Sequence, residues 1–269
     1  MGNSLKGKVV LITGASSGFG EHAAKLFAQE GCRVVLAARR LNLLQQLADE
    51  IQDAGGEALA IPVDVAECSE IDVMVKSTLD IYGQIDILFN NAGFGQLDWL
   101  ENLDMKRDIE TQIAVNLTGL IQVTRAVLPH MIEQGSGHII NMSSIAGFTA
   151  APLYSVYAAT KFGVRGFTNA LRCEVRHFDI RVSGIYPGAA ATEFSKHIAK
   201  DSIKNSFKSP VWMLMTSEFV AQQVVKTAKR PRRALILPWW MSVVVFLNNN
   251  FPWISDFFQI QFAKKYHTK

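Results

Sequence analysis

The strongest constraint on this chain is a series of short apolar runs. They are KVVLIT from Lys8, RVVLAA from Arg33, ALAIPV from Ala58, IDILFN from Ile85, HIINM from His138 and RVSGIY from Arg181. Each is continuous rather than alternating, the pattern of a strand covered on both faces, and longer amphipathic stretches separate them. The pattern predicts an α/β fold built on a parallel sheet. Between the first two runs, GEHAAKLFAQEG puts Ala23, Ala24, Phe27 and Ala28 on one helical face, with Gly31 as a stop signal. No Pro/Gly/Ser-rich linker interrupts the alternation before Ile185, so one domain over 1–269 is expected. With 49% hydrophobic and 19% charged residues, the chain has enough apolar material for a buried core.

Several functional classes are disfavoured. A net charge of +3, with no basic block longer than Lys229–Arg233, gives no electrostatic footprint for nucleic acid. The six histidines lack the spacing that places metal ligands on one helix face, so no metal is expected. Cys32, Cys68 and Cys173 are odd in number and far apart, which suits reduced thiols in the cytoplasm. The first residues do not have the pattern of a signal peptide.

TGASSGFG, from Thr13 to Gly20, closes the first strand and opens the first helix. Glycines there allow a tight turn and a close approach of backbone N–H groups to a pyrophosphate at the helix N terminus. The spacing Gly14, Gly18, Gly20 is not GxGxxG, and a glycine turn that only packs helix on strand is the alternative. An NAD site would offer an acid at the end of the second strand to hold the ribose 2′-hydroxyl. Here Ala37, Ala38, Arg39 and Arg40 stand instead, so Arg39 is expected to clamp a 2′-phosphate and NADP(H) is preferred over NAD(H). Solvated loop charges are the competing explanation.

SVYAATKFG sets Tyr157 and Lys161 four residues apart, on one helix face with Cβ atoms about 6 Å from each other. A phenol is a poor acid at neutral pH, and a nearby ammonium would lower its pKa toward the working range. Alone, YxxxK is often just a surface helix face. Ser144, at the end of a predicted strand and thirteen residues before Tyr157, offers a hydroxyl to a carbonyl oxygen. NNAG, Asn90 to Gly93, follows the fourth strand, and VNLTG carries Asn116 amid apolar neighbours.

TGxxxGxG, NNAG, the Asn in VNxxG, the Ser and YxxxK, in this order, resemble the single-domain form of the short-chain dehydrogenase/reductase family over Lys8 to Thr192. The resemblance implies a Rossmann-like doubly wound sheet of about seven strands, with the cofactor across its carboxyl ends. It implies that Tyr157 gives or takes the proton, that Lys161 holds the nicotinamide ribose and lowers the tyrosine pKa, that Ser144 binds the substrate oxygen, and that Asn116 supports a proton-relay water. Asp64 would lie beside the adenine; Asn91 would brace the central sheet and line the cleft; for both, a capping or turn role is equally open. Ser16, Ser17, Phe19, Val65, Ala92, Gly93, Pro187 and Gly188 complete the implied cofactor contacts. YPGAAAT is similar to a PGxVxT segment with Ala190 in the valine place, which would turn Thr192 to the carboxamide. The implied reaction is hydride transfer between NADP(H) and a carbonyl/alcohol pair, with a homo-oligomer as the family habit. The alternative is a non-catalytic dinucleotide-binding regulator on the same fold.

Beyond Thr192 the motifs end. Residues 189–216 are expected to form a substrate loop in which Phe194, Phe207, Trp212 and Met213 line a pocket or join the core. The apolar segment 235–262 is broken by Pro238 and Asn248–Asn250, short of the roughly 20 residues that span a bilayer. Its Trp239, Trp240 and Trp253, near Lys264 and Lys265, suit a subunit contact or pocket cover, or else a membrane interface. Phe94, Trp99 and this segment point to a fairly apolar substrate.

Overall fold

The computed structural model describes residues 3–191 and 214–267. Strand β1 (Val9–Thr13) is buried along its whole length, as a strand flanked on both sides and covered on both faces must be. Helix α1 (Gly18–Gln29) follows it, then β2 (Arg33–Ala38), α2 (Leu41–Asp53), β3 (Glu57–Pro62), α3 (Cys68–Tyr82) and β4 (Ile87–Asn90). The chain thus moves outward from β1 to β3 and returns to pair β4 on the other side of β1. That reversal opens a crevice at the carboxyl ends of β1 and β4, where ligands bind in open α/β sheets.

Beyond β4 come α4 (Thr111–Ile113), α5 (Leu120–Gln134), β5 (Gly137–Met142), α6 (Ser155–Glu174) and β6 (Ile180–Pro187). Two two-residue strands, β7 (Ala190–Ala191) and β8 (Met215–Thr216), pair with each other in parallel. Helix α7 (Ser217–Lys229) and β9 (Ala234–Leu237) complete a seven-stranded parallel sheet in the order β3-β2-β1-β4-β5-β6-β9. Side chains such as Phe27, Leu44 and Val224 pack α1, α2 and α7 on one face. Met74, Val127 and Leu171 do the same for α3, α5 and α6 on the other. The parallel sheet expected from the apolar runs is therefore present, in the doubly wound form that the resemblance implies.

One boundary differs. Leu235–Leu237, expected to begin the apolar tail, belong to the edge strand β9, which pairs with Gly184–Pro187 of β6. Three apolar residues running into Pro238, Trp239 and Trp240 carry no break that separates strand from tail. Helices α8 (Met241–Asn250) and α9 (Pro252–Tyr266) follow, and no described helix is long and apolar enough to cross a membrane.

Several polar groups inside the fold are paired across elements. Asn90 Nδ2 on β4 donates to Thr124 Oγ1 of α5 and to Asn141 Oδ1 of β5, both at 2.9 Å. Asn141 Nδ2 in turn donates to Thr168 Oγ1 of α6 at 3.0 Å. His138 on β5 lies 2.9 Å from Ser183 Oγ on β6, and burial pushes its pKa down to about 4.

Candidate active site

The glycine turn is shaped by contact as much as by conformation. Gly14 has φ +66° and a Cβ there would lie 2.8 Å from Ala92 Cα; Gly18 has φ +59°, the left-handed region that only glycine enters freely. Gly20 lies inside α1, where a Cβ would collide with the Gly14 carbonyl, so its role is close packing of helix on turn. Ser17 occupies the N-cap of α1 without a side-chain cap, which leaves the orphan N–H groups of the first turn to another acceptor. Thr13 Oγ1 accepts from the Asn91 and Ala92 N–H groups at 3.0 and 3.1 Å. Asn91 Nδ2 donates to the Thr13 and Gly14 carbonyls, each at 3.1 Å. Asn91 is thus the brace between the turn and the loop after β4.

At the end of β2 the two arginines differ from expectation. Arg39, assigned the 2′-phosphate from sequence, is 71% exposed and faces Asp64 across 3.8 Å. Arg40 instead reaches back to the turn: its Nη2 donates to Ser16 Oγ at 3.0 Å and Ser17 Oγ at 2.9 Å, and its Nε to Ser16 Oγ at 3.2 Å. The reason is position. Arg40 sits at the N-cap of α2, where the chain turns away from the strand. Asp64 has the turn role, accepting from the Ala66 N–H at 3.0 Å. Val65 is buried, and its carbonyl would be 2.5 Å from a Cβ on Gly119.

Tyr157 and Lys161 project from α6 into a buried space, at 8% and 5% exposure. Lys161 Nζ stands 5.6 Å from the Tyr157 ring centroid and donates to the Met142 carbonyl at 3.2 Å. Ser144 leaves β5 and caps a short 3₁₀ turn by accepting from the Ala146 N–H at 3.1 Å. Its hydroxyl donates to the Pro187 carbonyl at 3.4 Å and is close enough to the Tyr157 phenol to influence its ionisation. Ser143 Oγ donates to the Lys161 carbonyl at 3.1 Å, tying β5 to α6 just where both pairs of side chains meet.

The expected lowering of the tyrosine pKa is not found. Burial pushes the Tyr157 phenol up; the neighbouring Ser144 hydroxyl pulls the other way, and Tyr154 adds to the rise. Lys161 lies across the ring and bonds a backbone carbonyl, and burial pushes its own ammonium down to about 8.

Asn116 is held on several sides. It lies in a π-helical turn, Ala114–Gly119, the kind of irregularity often found at functional sites. Its Oδ1 accepts from the Phe94 N–H at 2.9 Å, and its Nδ2 donates to the Phe94 carbonyl at 2.7 Å and to Thr160 Oγ1 at 3.3 Å. The side chain grips the Phe94 backbone and so fixes the loop after β4 against this turn. A Cβ on Gly93 would lie 3.1 Å from Asn116 Oδ1 and 3.5 Å from Lys161 Nζ, which marks Gly93 as the open floor between them.

The structure therefore brings Ser144, Tyr157, Lys161 and Asn116 together beside Gly93, while Gly14, Gly18, Ser16, Ser17 and Asn91 form the turn across the crevice. Phe19 is half-buried against the core under α1. Pro187 and Gly188 close the far side, where the Gly188 N–H donates to the Leu237 carbonyl at 2.8 Å. Thr192, Phe194, Phe207, Trp212 and Met213 lie outside the described residues. Sequence reasoning missed Arg40, Thr13 and Ser143. Thr13 ends an otherwise apolar strand, and that lone hydroxyl was the available signal. The uncapped helix N terminus, the glycine cradle and Arg40 fit the phosphates of a dinucleotide.

The chain is similar to known proteins. Residues 8–203 match the family model described as short chain dehydrogenase. An uncharacterized oxidoreductase of Staphylococcus saprophyticus is 34% identical, over 87% of this chain and 95% of its own. Among solved structures, the chain is similar to a 3-ketoacyl-(acyl-carrier-protein) reductase of Brucella melitensis complexed with NADH: 33% identity, TM-score 0.77, covering 87% of this chain and 98% of that one. It is likewise similar to a single-substitution variant of actinorhodin polyketide ketoreductase with NADPH, at 29% identity and TM-score 0.79, over 88% and 97% of the two chains.

Proposed function

Because this chain belongs to the short-chain dehydrogenase/reductase family of nucleotide-dependent oxidoreductases, we propose that it transfers hydride between NADP(H) and a carbonyl/alcohol pair, with Tyr157 as acid and base. The observation that carries the reading is the buried cluster of Ser144, Tyr157 and Lys161, with Lys161 Nζ 5.6 Å from the phenol ring. The nicotinamide, when bound, supplies the hydride in reduction and accepts it in oxidation.

The protein's own part is orientation and the proton. The Ser144 hydroxyl and Tyr157 Oη are taken as a pair of donors for a carbonyl oxygen. In reduction Tyr157 gives its proton to that oxygen as negative charge grows on it, and the phenolate left behind is held by the Lys161 ammonium in a water-poor setting. Asn116, by clamping Phe94, fixes the wall facing this pair. Leu97, Ala146 and Tyr154 pack beside Tyr157 and favour an apolar substrate. The reading takes 1–269 as one dinucleotide-binding unit with its substrate segment at 189–216.

The similar proteins bind NADH in one case and NADPH in the other. For this chain the missing acid after β2 and the Arg40 contacts with Ser16 and Ser17 support NADPH, with Arg40 as the principal phosphate ligand and Arg39 at the rim. The test is NADPH oxidation over a carbonyl panel by wild type and Tyr157→Phe, with NADH in parallel. Turnover should fall at least about 100-fold in the variant while NADPH still binds. Equal turnover by both proteins would remove Tyr157 from the chemistry, and equal use of NADH would remove the cofactor preference.

A further inference from the structure

The outer end of the molecule has the wrong polarity for water. Of the twenty large apolar side chains exposed among the described residues, eleven lie between Trp239 and Ile260. Six of these are aromatic, and at about 150–250 Å² per side chain their exposed parts alone amount to roughly 700 Å². The largest apolar patch of a typical soluble monomer is about 300–600 Å².

Both helices turn apolar side chains outward. On α9, Trp253, Ile254, Phe257 and Phe258 are exposed, whereas Ser255 and Gln259, bonded to each other at 2.7 Å, are half-buried. On α8, Val243, Val244, Phe246 and Leu247 are exposed while Val245 is buried. This face is also held in place. Leu237, just before α8, accepts from the Gly188 N–H, and beyond α9 the His267 ring lies 4.2 Å from that of Trp99 and bonds Glu101.

We propose that the outward face of α8 and α9 docks on the surface of a lipid bilayer bearing anionic headgroups. At 10 and 15 residues the helices are too short to span it, and they suit insertion to the depth of the acyl boundary. Trp239 and Trp253 are 78% and 68% exposed and are the residue type that settles at that boundary. Charge follows the same logic. Asp256 is the lone acid from Ala234 to the C terminus, and Lys264 and Lys265 fill the last turn of α9, beyond the apolar stretch, where long stems let ammonium groups reach headgroup phosphates.

The proposal stands apart from the hydride-transfer reading, so its test does not depend on turnover. The full chain is sedimented with phosphatidylcholine vesicles, with and without phosphatidylserine, beside three variants. The first combines Trp253→Ser, Phe257→Ser and Phe258→Ser, all at exposed positions; the second combines Lys264→Glu and Lys265→Glu; the third is Tyr157→Phe. Wild type and Tyr157→Phe should pellet with vesicles to the same extent and more strongly with phosphatidylserine. The serine variant should bind at least tenfold less while remaining folded by circular dichroism, and the glutamate variant should lose the phosphatidylserine dependence. Wild type left in the supernatant with both vesicle types would overturn the proposal. So would a lipid-free dimer that the serine substitutions dissociate without any effect on pelleting, which would assign the face to a second subunit.

Discussion

Tyr157 and Lys161 sit where burial works against both of their charged forms, and this has measurable consequences. Lys161 titrates near 8 in the folded protein against 10.5 in an open chain. As pH falls from about 10.5 toward 8, the unfolded chain takes up this proton first, so stability drops through that window and levels off below it. The shift corresponds to about 3 kcal/mol. Lys161→Met is expected to flatten this slope in urea melts between pH 8 and 10 and to raise stability near pH 7, while activity collapses. Tyr157 contributes with the opposite sign: its raised pKa keeps the phenol protonated after the unfolded chain has ionised, so stability falls again above about pH 10. Arg40→Ala is expected to raise the NADPH KM at least about tenfold, the scale of a charge-assisted phosphate bond, with little change for NADH. Residue types were legible in the sequence at Ser144 and Tyr157, because chemistry restricts what can stand there. Which of two adjacent arginines faces the turn was not, since that depends on where the chain leaves strand β2 and enters α2.

Elements were read with uneven success, for physical reasons. Strands buried on both faces announce themselves as unbroken apolar runs, and β1 to β6 were found that way. Strand β9 was not, because an edge strand of four residues merges with the apolar residues after it. The π turn at Ala114–Gly119 was equally hidden: its cause is the close approach of Gly119 to the Val65 carbonyl and the grip of Asn116 on Phe94, both long-range contacts. His138 supplies the test at this scale. Held neutral between β5 and β6, it resists a proton down to about pH 4, whereas the unfolded imidazole takes one near 6.5. Stability should therefore be lost as pH falls through 6.5 to 4, by up to about 3 kcal/mol. His138→Gln is expected to make the acid limb shallower in denaturant midpoints measured across that range.

At the scale of the whole molecule, the sheet joins a cofactor crevice on one side of β4 to a proton-handling helix on the other, and the two must keep their spacing. Apolar packing alone lets a helix slide, since dispersion has no preferred register. The chain of bonds from Thr124 through Asn90 and Asn141 to Thr168 is directional and crosses from α5 to α6 inside the fold. Asn141→Leu leaves Asn90 Nδ2 with Thr124 alone and the Thr168 hydroxyl with only its own-turn bond to the Val164 carbonyl, and each donor or acceptor lost in this dry interior costs about 1–3 kcal/mol. The expected outcome is a loss of about 2–5 kcal/mol in unfolding free energy by denaturant titration, with a larger fall in kcat than in KM. Thr168 lies seven residues beyond Lys161 on the same helix, about 10 Å along its axis. The bond at Thr168 therefore acts as a stop on a ruler: it sets how far the tyrosine and lysine extend past the end of the sheet, and hence the depth of the catalytic pocket.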